Sequence, residues 1–175
     1  TDKQTKISYS TTANMEKIIS GRNAKILIQE ETPQRTCSCP KNAECPLSGK
    51  CLEKNIVYHA KVVQEDQTTK NYIGNTSTDF KSRLAVHRQS FKNPDINQTS
   101  LSKHILELKN KKINFTLTWE IIGRGKPFSP VSNVCTLCNL EKFSILFCPE
   151  LADLNSKSEM YSNCRHKQSI LLVPK

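Results

Sequence analysis

The spacing of the cysteines limits what this chain can fold into more than any other feature of its sequence. Cys135 and Cys138 are separated by two residues, and Cys164 and His166 follow later as a second close pair. Two such pairs can each hold one metal ion from a local turn, which is the ligand pattern of a Cys3His zinc site. We therefore predict a zinc ion that holds the C-terminal tail.

A second group of cysteines lies upstream, where little apolar sequence is present to form a core. Its spacing predicts a small zinc knuckle with four ligands: Cys37, Cys39, Cys45 and Cys51. The alternative is a secreted, disulfide-bonded protein, in which the sequons at Asn75, Asn97 and Asn114 would carry glycans. The eighth cysteine, Cys148, is expected to be a buried apolar residue.

Alternation of apolar and polar residues predicts three strands. The strongest pattern is INFTLTWEII at residues 113–122, in which every second side chain is large and apolar. A second alternating stretch runs from Ile56 to Val63, and after a polar turn it meets a partner at residues 71–74. These strands predict a small antiparallel sheet.

Helix signals flank the predicted strands. Asp79 can cap a helix that ends near Phe91, before Asn93-Pro94, and a second helix starts at Thr99 or Ser100. A third is expected over residues 134–147. The predicted fold is α+β, a central antiparallel three-stranded sheet flanked by helices.

The chain divides into three segments. Residues 1–36 are predicted to be a polar linker that contains a short helix and a strand. Residues 37–52 are predicted to form the cysteine-rich knuckle. Residues 53–175 form the main domain with the Cys3His site.

The charge of the chain favours a polyanionic partner. The formal net charge is +10, and residues 81–112 contain eight Lys or Arg against two acidic residues, which places +6 in this stretch. Basic surfaces of this kind bind nucleic acid by releasing counterions from its phosphates. No apolar run approaches the roughly 20 residues that cross a bilayer, so no membrane partner is expected.

The predicted hairpin and the helix after it contain residues suited to phosphodiester cleavage. Tyr58 and Tyr72 lie on the hairpin, while Arg83 and His87 are one turn apart on one face of the helix. Such a reaction needs an activated water and a positive group near the phosphorus.

A carboxylate that holds a divalent cation would complete the set. We predict Glu141, because it comes three residues after the zinc ligand Cys138 and would be oriented by the same helical turn. Glu107 and Glu120 are the rival carboxylates.

These residues, in this order, resemble the GIY-YIG nuclease superfamily. IVY at 56–58 and YIG at 72–74 are followed by Arg83, His87, Glu141 and Asn155. The chain is most similar to the endonuclease of Penelope-like retroelements, from about Cys37 to His166, through segments that include CPLSGKCL, NYIGNTSTDFKSRLAVHRQSF and CTLCNLEKFSIL. It departs from the superfamily pattern at Ile56, which stands in place of the first glycine.

The resemblance implies a role for each matching position. Tyr58 or Tyr72 would bind or deprotonate the water, with His59 as a competing base, and Arg83 would contact the scissile phosphate. Glu141 would hold Mg2+ or Mn2+. His87 would shuttle a proton or bind phosphate, and Asn155 would position the metal's water or the substrate.

The resemblance also implies an activity and partners. The expected enzyme nicks target DNA in the nucleus and leaves a 3'-hydroxyl primer for target-primed reverse transcription. Its partners would be DNA, the element RNA and the reverse transcriptase of the same polyprotein. The alternative is a non-catalytic, zinc-stabilised nucleic-acid-binding module that positions a reverse transcriptase.

Overall fold

The computed structural model describes residues 14–27, 35–41, 44–93, 95–96, 98–126, 128, 134–155 and 164. Within this part of the chain the fold contains four α-helices, three β-strands and one short 3-10 helix. In chain order the elements are α1 (Met15–Leu27), β1 (Ile56–Gln64), β2 (Thr69–Thr76), α2 (Phe80–Ser90), α3 (Ser100–Asn110), β3 (Phe115–Arg124), α4 (Thr136–Phe147) and the 3-10 helix (Pro149–Leu151). The predicted α+β class is confirmed.

The three strands form one antiparallel sheet, as predicted, and their order is β2-β1-β3. The central strand β1 pairs Tyr58 with Gly74 and Ala60 with Tyr72. Because alternate residues of a strand face the same side, this register places Tyr58 and Tyr72 on one face of the hairpin. An irregularity between Val57 and Tyr58 interrupts the pairing of β1 with β3.

Both faces of the sheet are covered. On the first face, α2 and α3 contribute Phe80, Leu101 and Ile105 to a core that contains Tyr58, and the apolar face of β3 packs against it, as its alternation predicted. On the second face, α4 contributes Leu137. The central strand is therefore buried on both sides.

The predicted helix starts are confirmed by their caps. The Asp79 carboxylate accepts a hydrogen bond from the Ser82 N–H at 2.8 Å, and Thr99 forms a capping box with Ser102. Helix α1 is longer than predicted, because it continues to Leu27 where the sequence suggested a strand. Among the helices of the described residues, none is long and apolar enough to span a membrane.

Candidate active site

The Tyr58 hydroxyl lies at the centre of a hydrogen-bonded group under α2. Its oxygen accepts a hydrogen bond from Arg83 Nε at 3.0 Å and lies 2.8 Å from His87 Nε2. The Tyr58 ring is fully buried, with Phe80 and Trp119 against it at centroid distances of 5.3 and 5.7 Å. The structure thus brings Tyr58 of strand β1 together with Arg83 and His87 of helix α2.

The electrostatics keep His87 neutral and Arg83 charged. Burial lowers the pKa of His87 to about 3, and the positive charge of Arg83 adds to this effect. Burial alone lowers the pKa of Arg83, but Tyr58, Tyr72 and Glu141 outweigh it, so that the pKa of Arg83 is raised overall. In the tautomer with its proton on Nδ1, the neutral His87 ring can accept the phenol proton at Nε2.

Gly74 allows the two tyrosines to lie close together. A Cβ atom at this position would come within 2.6 Å of Tyr58 Oη and 3.0 Å of Tyr72 Cε1. Tyr72 is itself buried and lies edge-on to His87, with ring centroids 6.3 Å apart. The glycine of YIG is therefore required here for space.

A polar cleft of about 310 Å³ opens beside Arg83. Among the described residues no acidic side chain lines it, and its remaining walls are mainly hydroxyls and an amide: Asn75, Thr76, Ser77, Thr78, Ser82 and Val86. Hydrogen-bond donors around one guanidinium suit an anion such as a phosphate.

Glu141 approaches this cleft from the other face of the sheet. Asn75, which lines the cleft, donates a hydrogen bond from Nδ2 to Glu141 Oε2. Glu141 also contributes to the raised pKa of Arg83. A carboxylate held by an amide beside a cleft lined by hydrogen-bond donors is suited to bind a hard divalent cation.

The start of α4 determines where Glu141 lies. Leu137 is fully buried, and its N–H donates to the Lys126 carbonyl at 3.2 Å. A Cβ at Gly125 would lie 2.5 Å from Leu137 Cα, so the helix packs directly on backbone. This close packing, together with the cysteines of the same turn, positions the Glu141 side chain.

The rival residues lie elsewhere. His59 points away from Tyr58, and its ring nitrogens are 2.9 Å from Glu120 Oε1 and 2.9 Å from Asn71 Oδ1. Glu107 is exposed on α3. None of these side chains lines the cleft beside Arg83.

Asn155 binds the outer edge of β2. Its Oδ1 accepts from the Ile73 N–H and its Nδ2 donates to the Ile73 carbonyl, both at 2.8 Å. These bonds hold the segment after α4 next to the strand that contains Tyr72. A role for Asn155 toward metal or substrate stays a prediction.

The upstream cysteines form a cluster with the dimensions of a zinc site. The sulfur atoms of Cys37, Cys39, Cys45 and Cys51 all lie within 4.8 Å of one another. Cys51 Sγ is 3.7 Å from Cys39 Sγ and 3.6 Å from Cys37 Sγ. A tetrahedron with Zn–S bonds of about 2.3 Å has edges of roughly 3.8 Å, whereas a disulfide bond is about 2.05 Å long.

Within this cluster burial raises the pKa of Cys39 and of Cys51, whereas the pKa of Cys45 is lowered. Burial raises its pKa, but hydrogen bonds from the backbone at Leu47 and Gly49 outweigh this and lower the pKa to about 6. The thiolate, which is the form that binds metal, is therefore favoured at neutral pH.

The downstream cluster contains Cys135, Cys138 and Cys164, also within 4.8 Å of one another. The sulfur atoms of Cys138 and Cys164 are 3.5 Å apart, and burial beside these thiols raises the pKa of Cys138. A divalent cation would offset that effect. The predicted fourth ligand, His166, lies outside the described residues.

Asn75 is the residue that the sequence did not point to. It was noted only as a sequon, yet it joins Glu141 to the cleft. The sequence offered one indication: Asn75 follows YIG directly in the same strand. Because side chains alternate along a strand, Asn75 lies on the opposite face from Gly74.

No family model, curated protein or solved structure matches this chain. The site is therefore interpreted from its own residues and their geometry. Those residues are a buried tyrosine pair, a neutral histidine, a charged arginine at a donor-lined cleft, and a carboxylate held at the edge of that cleft.

Proposed function

We propose that this protein is a divalent-metal-dependent DNA endonuclease of the GIY-YIG type. One observation carries the proposal most: the buried Tyr58 hydroxyl lies within hydrogen-bond distance of Arg83 and His87, and Arg83 also lines a cleft that Asn75 connects to Glu141. This arrangement combines a proton acceptor, a cation and a metal-binding carboxylate around one anion site.

The reaction is hydrolysis of a phosphodiester. Water adds to phosphorus, the bond to the 3' oxygen breaks, and the products are a 5'-phosphate and a 3'-hydroxyl. Tyr58 takes a proton from the water and passes its own proton to His87 Nε2. Solvent supplies the proton for the leaving oxygen.

Arg83 has two tasks in this mechanism. Its guanidinium bonds to Tyr58 in the free protein and lines the cleft where the phosphate binds. When it turns toward the phosphate it uncovers the tyrosine and stabilises charge on the phosphoryl oxygens. Pairing of Arg83 with the phosphate also weakens its effect on His87, which makes the imidazole more basic.

Glu141, oriented by Asn75, would hold Mg2+ or Mn2+. Such an ion neutralises negative charge that develops on the phosphate and the leaving oxygen.

The biological setting is part of the same proposal. The nick would leave a 3'-hydroxyl that a reverse transcriptase of the same polyprotein extends on the element RNA. Such an enzyme acts on target DNA in the nucleus. The concentration of positive charge in residues 81–112 supports a nucleic-acid partner.

A nicking assay on supercoiled plasmid tests the proposal. We expect open circles with Mg2+ or Mn2+ and none with EDTA. Arg83→Ala and Glu141→Gln should each lower the rate by about 10²–10³-fold, which is typical for loss of one electrostatic stabiliser. Glu120→Gln is the matched control, because it makes the same change in a carboxylate outside the cleft, and it should nick at the wild-type rate. Normal nicking by Glu141→Gln would contradict the assigned site.

A second candidate function is a non-catalytic, zinc-stabilised nucleic-acid-binding module. It is favoured by the burial of Tyr58, which has no exposed surface in this conformation. This function predicts that the protein binds the plasmid, that its affinity falls steeply with salt, and that no divalent ion produces a nick.

A further inference from the structure

A second cleft, of about 490 Å³, lies behind the candidate active site. Its walls come from three parts of the chain: the cysteine segment at Pro46, helix α2 at Leu84 and Arg88, and strand β3 at Trp119. Phe91 forms part of its lining. The cleft is therefore bounded by elements that are far apart in the sequence.

The lining combines aromatic surface with one guanidinium. Leu84 and Phe91 are nearly fully buried, Trp119 is partly exposed, and Arg88 is exposed at the rim. A flat aromatic ligand can stack on the exposed part of the Trp119 ring, while the Arg88 guanidinium binds a ring face or a phosphate. Among the described residues that line the cleft, Glu44 is acidic.

The cleft is also close to the proposed chemistry. Phe91 and Trp119 both contact His87, at ring-centroid distances of 5.9 and 5.4 Å. Arg88 follows Arg83 by five residues on the same helix, which is about 7.5 Å along its axis. Five residues also turn the helix by about 140°, so a DNA strand that reaches both arginines would pass over the surface of α2 between the two clefts.

We propose that this cleft binds an unpaired nucleobase of a DNA strand whose phosphate lies on Arg83. The occupant follows from charge complementarity, because the basic residues of α2 attract the backbone while the aromatic lining accepts the ring. The protein then prefers single-stranded or locally opened DNA over closed duplex. This inference takes from the proposed function only that the partner is DNA. It does not require that the protein cleaves it.

Trp119 is the only tryptophan of the chain, so its fluorescence reports directly on the cleft. The experiment titrates zinc-loaded protein, without Mg2+ or Mn2+, with a 15-nucleotide oligo-dT strand. The comparison ligands are a duplex of the same length and a strand with the same backbone but abasic residues.

We expect the dT strand to quench Trp119 and to bind more tightly than the duplex, while the abasic strand binds without quenching. Arg88→Ala should weaken dT binding by about 5- to 100-fold, the range for loss of one stacking contact. Lys103→Ala, which removes an exposed charge on α3, should change it only a few-fold. Equal quenching by the abasic strand, absence of quenching, or equal affinity for duplex would overturn the proposal.

This test is separate from the nicking assay. Quenching by the dT strand without plasmid nicking would refute the endonuclease and retain the base-binding cleft. Metal-dependent nicking without quenching would retain the endonuclease and refute the cleft.

Discussion

Replacement of Gly74 by alanine should disrupt the tyrosine site more than any comparable change on the sheet. The added Cβ would lie 2.6 Å from Tyr58 Oη, 2.8 Å from Tyr58 Cζ and 3.0 Å from Tyr72 Cε1. Tyr58 would have to move back by roughly 0.8 Å to reach the 3.4 Å of ordinary contact. It cannot do so easily, because Phe80 and Trp119 pack against its ring.

The energetic cost can be worked from these contacts. Overpacking of a core costs about 1–3 kcal/mol. Displacement of the hydroxyl also stretches its bonds to Arg83 and His87, now 3.0 and 2.8 Å, and a lost bond to a charged group costs about 1.5–3 kcal/mol. Since alanine has a better strand propensity than glycine, we expect a net loss of about 2–4 kcal/mol of unfolding free energy. For a chain of this length that lowers Tm by roughly 5–15 °C.

Gly123→Ala is the matched control. Its Cβ would also meet an atom at 2.6 Å, but that atom is Cδ2 of Leu140, the flexible end of a half-buried side chain. Rotation of Leu140 relieves the contact, so the unfolding free energy should change by about 1 kcal/mol or less. Thermal unfolding followed by circular dichroism measures both variants. Equal Tm shifts for Gly74→Ala and Gly123→Ala would refute the argument that the Tyr58 hydroxyl is locked in place.

Two further predictions concern protons and metal. The unfolded chain protonates His87 below pH 6.5, whereas the folded protein resists this down to about pH 3, so the unfolding free energy falls as the pH drops through this window. Urea unfolding should show that the unfolding free energy of the wild type is about 2 kcal/mol lower at pH 5 than at pH 7, and that His87→Gln lacks this difference. An equal decrease in both proteins would contradict the assignment to His87. Metal analysis should find zinc in the purified protein, with less in Cys51→Ser and an unchanged amount in Cys148→Ser, which lies outside both clusters. Absence of zinc together with absence of free thiols would instead favour the disulfide alternative.

Several features of the fold could be predicted because their causes are local. The alternation of residues 113–122 identified β3, since one face of that strand is more buried than the other. Asp79 and Thr99 marked two helix starts, because a cap depends on a side chain and the backbone three residues later. The cysteine pairs were recognisable because metal ligands within one turn have a narrow spacing.

Other features depend on contacts that no local pattern contains. Strand β1 is buried on both faces, so its composition could not tell which side Tyr58 and His59 would face. Helix α1 continues past Gly21 to Leu27, where the sequence predicted a strand.

The sequence by itself determined the three strands, the helices α2, α3 and α4, the cysteine clusters and the set of polar residues available for chemistry. Only the tertiary structure decided that Asn75 bonds to Glu141, which lies 66 residues later in the chain. It also decided that burial and the charge of Arg83 keep His87 neutral, and that Gly74 makes room for two tyrosines. The physical reason is that caps and ligand spacings act within a turn or two of chain, whereas desolvation and close packing depend on which elements meet.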